Sequence, residues 1–330
     1  DPDPEDATYR FNWNTPTLLS VHDRNTVYTG SQMLMRSADK GYTWSQISPD
    51  LTYDIDRSQL PIMGVLPTDS MISRHDGVST YSALTTVGES PTNPDVLYTG
   101  SDDGRVMSTQ DGGATWVDLT PGIAGVPANT YVSRVVASGV SEGRVYATFD
   151  GHYSGDFAAY VYMSDDFGAS WKSITTGLPA SSVNILAEHP DQENLLFVGN
   201  EMGLYVSTNR GSNWSPLMND LPTVPVDDIK IHEDQNDLII GTHGRGIWVL
   251  DNIAPLEELA AGSVRADSPY LFRVGRVVDW RNFRNQEWTA SGEFRIPNPS
   301  NGARIRYWIP EEAMAADDGD DDDDSGEGGD

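Results

Sequence analysis

The stretch Thr109-Gln-Asp111-Gly-Gly113-Ala-Thr-Trp116 decides the architecture. Strand-like runs flank it, Arg105-Val-Met-Ser108 before and Trp116-Val-Asp-Leu119 after. Its pattern, Ser/Thr-x-Asp-x-Gly-x-x-Trp, returns at Ser37, Asp39, Gly41 and Trp44, and again at Ser164, Asp166, Gly168 and Trp171. A fourth copy, Ser207, Asn209, Gly211 and Trp214, carries Asn in place of Asp. These residue types suit a hairpin. An Asp or Asn side chain accepts hydrogen bonds from NH groups of its own turn. Gly takes positive φ without steric cost, and Trp is large enough to pin the hairpin against a neighbour. Four copies, each closing a β-rich segment, make a repeat.

Working outward, each copy closes a unit of short strands. The cleanest runs from Tyr81 to Leu119, with expected strands 81–87, 96–100, 105–108 and 116–119. Gly30, Gly100, Gly199 and Gly241 occupy the same place in their units, and the last of these units has no copy of the turn. Short strands at regular spacing with Gly and Asp turns predict an all-β fold of propeller blades, each a four-stranded antiparallel sheet. The expected propeller spans 1–256, with blades at 16–48, 81–119, 131–175, 182–217 and 226–256. A linker is expected over 257–280, with one helical turn at Leu256-Glu-Glu-Leu-Ala-Ala. Tyr270-Leu-Phe-Arg-Val, Gly292-Glu-Phe-Arg-Ile-Pro and the stretch 298–309 are strand-like, and the acidic tail 313–330 is expected to be disordered. Five units fit a partial propeller that is part of a larger one; a closed five-bladed ring is the alternative.

The repeated turns resemble the Asp-box, or BNR repeat, found in the β-propellers of sialidases, two-propeller xyloglucanases and sortilin-type receptors. The resemblance covers about residues 16–256. Tyr9-Arg-Phe-Asn-Trp-Asn-Thr-Pro, Ile47-Ser-Pro-Asp-Leu-Thr and Gly241-Thr-His-Gly-Arg-Gly-Ile-Trp-Val-Leu-Asp251 extend it to large bacterial and archaeal sortilin-like proteins that carry a glycosyl hydrolase label. It implies that residues 281–312 open an Ig-like sandwich. It also implies that Asp39, Trp44, Asp111, Trp116, Asp166, Trp171, Asn209 and Trp214 are scaffold, because sialidase chemistry lies on the propeller face away from the boxes. The arginine triad of sialidases has no counterpart that can be placed on this chain.

Composition limits the ligand. Fifty acidic residues against 21 basic give a net charge of −29, and there is no Cys. Disulfides, zinc–thiolate sites and thiol nucleophiles are therefore excluded. Nucleic acid and anionic membranes are poor partners for such a surface. No apolar run is long enough to span a membrane. No metal site and no cofactor are expected, because no two His stand at ligand spacing. Lys occurs only at Lys40, Lys172 and Lys230, and high Asp with scarce Lys predicts a halophilic, salt-adapted protein.

Blade topology brings the turns between second and third strands to the face opposite the repeated turns. They carry Gln32, Asp102, Asp103, Asp150, His152, Tyr153, Asp156, Glu201, His243 and Arg245. Ligand binding is expected at His243, Arg245, Asp102, Asp150 and His152. Asp103 and Glu201 are the candidate catalytic residues, and Asp102 or Asp103 with Glu201 would form a pair if the turns converge, since glycoside hydrolysis uses two carboxyl groups about 5–10 Å apart. The expected function is a noncatalytic ligand-binding or scaffold propeller module of a secreted, extracytoplasmic protein, with a peptide or a glycan as ligand and the remaining blades of a parent protein as partners. The alternative is part of a glycoside hydrolase, xyloglucanase-like or sialidase-like, acting on polysaccharide.

Overall fold

The computed structural model describes residues 8–60, 65, 66, 68, 71, 80–275, 277 and 302–310. The chain divides into two compact units, Asp1–Asp251 and Asn252–Asp330. The first is built from five antiparallel sheets. Blade 1 is β1 (Thr17–Leu19), β2 (Val27–Gly30), β3 (Leu34–Ser37) and β4 (Ser45–Gln46). Blade 2 is β5 (Leu84–Ser90), β6 (Asn93–Ser101), β7 (Val106–Thr109) and β8 (Val117–Asp118). Blade 3 is β9 (Tyr131–Ala137), β10 (Val145–Asp150), β11 (Tyr160–Ser164) and β12 (Lys172–Ser173). Blade 4 is β13 (Val183–His189), β14 (Gln192–Asn200), β15 (Gly203–Ser207) and β16 (Ser215–Pro216). Blade 5 has three strands, β17 (Val226–His232), β18 (Asp237–Thr242) and β19 (Ile247–Leu250). Within each sheet the strands lie side by side in chain order.

Two expected boundaries move. The first strand of blade 2 begins at Leu84, not Tyr81, because Ser82 takes a left-handed φ of 58° that no strand accommodates. The fourth strand keeps only Val117–Asp118 of the expected 116–119, because Trp116 turns inward to close the hairpin.

The four repeated turns share one hydrogen-bond plan. The Ser37 hydroxyl donates to Asp39 at 2.7 Å and accepts from Gly41 N at 2.8 Å. Asp39 then accepts from Thr43 N at 2.8 Å and from the Thr43 hydroxyl at 2.7 Å. Asp111 does the same with Thr115, and Asp166 with Ser170. These bonds hold each carboxyl down at about 2, the hydroxyl bond being the largest cause. In the fourth turn Asn209 has one acceptor oxygen, and Asn213, which has no hydroxyl, stands where Thr or Ser stands elsewhere.

The turns also join blades. Trp116 packs into the apolar cluster between blades 1 and 2, and Trp171 into that between blades 2 and 3. Trp214 fills the cluster between blades 3 and 4 and donates its indole NH to Ile174 O at 2.6 Å. Each of these Trp residues thus grips the blade before its own. Trp44, in the first blade, stays 41 % exposed.

A second brace crosses the same interfaces. Glu89, near the end of β5, accepts from the Tyr28 hydroxyl and from Val21 N in blade 1. Glu188 in β13 repeats this, accepting from the Tyr146 hydroxyl at 2.8 Å and from Gly139 N at 3.0 Å. The ladder register puts Ala137 at the matching place in blade 3. Tyr98, the tyrosine it faces, accordingly has a buried hydroxyl with no partner. Blade 4 carries Phe197 at the tyrosine position.

In the second unit, α1 (Ala254–Ala260) replaces the expected single turn, with Ile253 at its N-cap, Pro255 in its first turn and the Asn252 side chain accepting from Ala254 N. Strand β20 (Tyr270–Leu271) pairs with β21 (Tyr307–Trp308), and Tyr270 donates to Glu258 at 2.6 Å. The strand-like stretch 292–297, most of the expected sandwich start at 281–312, and the tail 313–330 lie outside the described residues. No helix among the described residues is long and apolar enough to cross a membrane.

Candidate functional site

The first strands β1, β5, β9, β13 and β17 line one cavity of about 1110 Å³ within the first unit. Four of them carry a β-bulge at the start, where the register slips at Thr85, Ser133, Asn184 and Asp227. A bulge turns an extra side chain off the ladder. All four of these residues face the cavity. Thr85 and Ser133 spend their hydroxyls on the next blade's backbone, at Val132 O and Val183 O. Asn184 and Asp227 extend toward the turns of blades 4 and 5.

Those turns complete a polar rim. In blade 3, Asp150 accepts from His152 N at 2.9 Å, and its carboxylate oxygens lie 2.7 and 2.6 Å from His152 Nδ1. The His152 ring lies 3.9 Å from that of Tyr153, which in turn meets Tyr131 at 6.0 Å. The Tyr153 ring is 76 % exposed, while partial desolvation at the cavity, with Asp150 and Glu201 beside it, pushes its phenol up. In blade 4, Glu201 accepts from Asn184 Nδ2 at 3.0 Å, and the same amide reaches Asp227 at 3.3 Å. In blade 5, His243 Nδ1 lies 3.3 Å from the other Asp227 oxygen. Trp13, 89 % exposed, also borders the cavity.

Further in, Arg134 of β9 faces Asp228 of β17 at 3.4 Å. Both occupy the register position just after the bulge, two blades apart. Burial pulls the Arg134 guanidinium below its ordinary value, which Asp228 partly offsets, and its Nε is buried without a partner. Glu89, Asp150, Glu188, Glu201, Asp227, Asp228 and Glu233 line the cavity against Arg134 and Lys230. The wall is therefore strongly acidic, which disfavours phosphate and carboxylate ligands and accepts hydroxyl or cationic groups.

Of the residues expected on this face, Asp150, His152, Tyr153, Glu201 and His243 meet at the cavity. The others go elsewhere. Gln32 is buried, and its side chain holds Thr8 O and Arg10 N. Asp102 is 6 % exposed and accepts from Ala83 N and Asn12 Nδ2, and desolvation raises it to about 7. Asp103 is fully buried, bonded to the Ser101 hydroxyl and to Tyr53 N. The chain's own N-terminal segment and residues 50–55 thus cover the turns of blades 1 and 2. Asp103 and Glu201 are not brought together as a pair facing the cavity. Asp156 stays inside its loop, accepting from the Tyr160 hydroxyl at 2.7 Å. Arg245 is exposed, and its carbonyl accepts from Trp248 Nε1 at 3.1 Å.

Sequence reasoning missed Trp13, Tyr131, Arg134, Asn184, Asp227 and Asp228. A signal existed for two of them. Arg134 is the one charge in its first strand, YVSRVVA, and Asp228 stands at the same register position in its own.

Residues 159–252 match the family model described as Sortilin, neurotensin receptor 3. Among solved structures, the chain is similar to the GH74 xyloglucanase from Xanthomonas campestris, at 20 % identity and a TM-score of 0.53. That alignment covers 72 % of this chain and 36 % of the xyloglucanase. A GH74 enzyme from Niastella koreensis aligns at 15 % identity and a TM-score of 0.51, over 72 % of this chain and 36 % of its own. No curated protein matches the chain by sequence. The fold is thus a β-propeller, similar over residues 159–252 to the sortilin family model, and the chain spans about a third of the length of the two GH74 enzymes.

Proposed function

We propose that the protein is a noncatalytic ligand-binding propeller module of an extracytoplasmic protein, and that the cavity rim takes a neutral polyhydroxylated chain, a glycan. One observation carries this reading. The Asp150–His152–Tyr153 group stands beside Asn184, Glu201, Asp227 and His243 at one cavity. Carboxylates, an amide and imidazoles supply acceptors and donors for sugar hydroxyls. Tyr153 and Trp13 supply exposed ring faces for the apolar side of a pyranose. The acidic wall argues against an anionic ligand.

The competing reading is glycoside hydrolysis, supported by Asp150 and Glu201 lining the same cavity. Against it, Asp102, held near 7 as a general acid would be, is sealed under Asn12 and Ala83. A glycan array and a polysaccharide-hydrolysis screen, run with Tyr153→Ala and Glu201→Gln beside wild type, separate the two. Binding without turnover, weakened about tenfold or more by Tyr153→Ala, is expected, a loss of about 1.4 kcal/mol. Turnover abolished by Glu201→Gln would establish the hydrolase. Selective binding of a Lys- or Arg-rich peptide would move the ligand class to peptides. Composition supports one more inference, a protein adapted to high salt: 50 acidic residues stand against 21 basic ones, only three of them Lys.

A further inference from the structure

We propose that the free face of blade 5 is a docking surface for one more propeller blade, whose first strand opens with Val, Leu or Ile. Four of the five second strands carry a glycine near their end, Gly30, Gly100, Gly199 and Gly241, and blade 3 has Thr148 at that position. A Cβ on Gly30 would lie 2.8 Å from Leu84 Cβ of blade 2, and one on Gly199 would lie 2.6 Å from Val226 of blade 5. Gly100 is filled in the same way by Val132 of blade 3. Each glycine is thus a slot, and each slot receives the apolar residue that opens the next blade's first strand. Gly241 is the same slot in blade 5. A Cβ there meets only its own sheet, at Asp228, no closer than 3.6 Å.

The surface around the slot repeats the pattern. In blade 4 the residues facing forward, Phe197, Leu204 and Val206, are buried to 0, 1 and 8 % exposure beneath blade 5. The matching positions in blade 5 are Ile239, Ile247 and Val249. They are equally apolar, yet Ile247 is 75 % and Val249 55 % exposed. This face continues an interface that the chain builds four times over, between blades 1 and 2, 2 and 3, 3 and 4, and 4 and 5. Apolar area of this kind is stabilised by being covered.

Blade 1 does not fit the slot, whether from the same chain or from a second copy. Counting back from the Thr17–Thr29 pair puts Asn14 where Leu84, Val132, Val183 and Val226 stand in the other blades. Asn14 is polar, whereas the residues at this place in the other four blades are Leu or Val. The occupant is therefore a blade that none of the five described here supplies.

The test inserts a second copy of residues 224–251 between Asp251 and Asn252 of the full chain. That segment begins with a blade already matched to Gly199. The expected result is a Tm several degrees higher, with new hydrogen-exchange protection at Ile239, Gly241 and Ile247. Gly241→Val, or Val226→Asn in the inserted copy alone, should erase both gains. In the chain without the insert, Gly241→Val should leave Tm nearly unchanged, because a Cβ there makes only ordinary van der Waals contact with Asp228. The proposal is overturned if the insert brings no gain, or if the gain survives both substitutions. It is equally overturned if the unmodified chain sediments as an oligomer that Ile247→Asp dissociates, which would make a second copy the occupant.

Discussion

Asp39, Asp111 and Asp166 do one job three times. Each ties its turn through a hydroxyl two residues before it and another four residues after it. The stability they add follows from their lowered carboxyl values. It is fully present above the ordinary Asp value of 3.8 and is lost as pH falls toward about 2. Asp102 acts in the opposite sense. Its value is raised to about 7, so the fold prefers the proton, and stability falls as pH rises from about 4 to about 7. A three-unit shift corresponds at most to about 4 kcal/mol. Urea melts across pH should therefore show a decline through this window in wild type that is absent in Asp102→Asn. Carbon-detected titration should move Asp111 upward in Thr115→Val. An unchanged Asp111 midpoint would mean that the hydroxyl is not the main cause.

At the scale of elements, the blades are joined by paired positions. Tyr28 with Glu89 and Tyr146 with Glu188 are matched, and Tyr98 with Ala137 is not. Removing the Tyr146 hydroxyl strips a donor from a buried carboxylate, whereas removing the Tyr98 hydroxyl removes a group with no protein partner. Tyr146→Phe is expected to cost about 1–3 kcal/mol, and Tyr98→Phe to be neutral or stabilising. Equal losses in chemical denaturation would refute the brace. The repeat itself was legible at this scale. The turn, the glycine slot and the strand order all follow from residues quoted in the sequence. Strand ends were not, because Ser82 and the first-strand bulges reset them through backbone angles that residue type alone does not dictate.

For the whole molecule the governing quantity is charge. A net charge of −29 makes the folded state repel itself, and salt screens that repulsion. Tm should climb steadily from low to multimolar KCl, and refolding at low KCl should be incomplete. Full stability at low ionic strength would remove the inference of salt adaptation. The acidic wall of the cavity belongs to the same surplus, so ligand binding measured at low salt alone would exaggerate any preference for cations.

The sequence by itself determined the all-β fold, the blade repeat and the face on which polar turns collect. These follow from local chemistry: a carboxylate that closes a turn, a glycine that admits a neighbour, and a Trp that reaches across. Only the tertiary structure decided which polar turns are open. Asp102, Asp103 and Gln32 look like Asp150 and Glu201 along the chain, yet Asp102 is closed by Asn12, 90 positions away, and Gln32 by Arg10 and Thr8, 22 and 24 away. For Asp103 the closing residue is Tyr53, 50 positions distant. Arg134 and Asp228 meet across 94 positions. Such distant pairings depend on how the blades stack around a common cavity. That stacking is set by the summed packing of many side chains, which no single stretch contains.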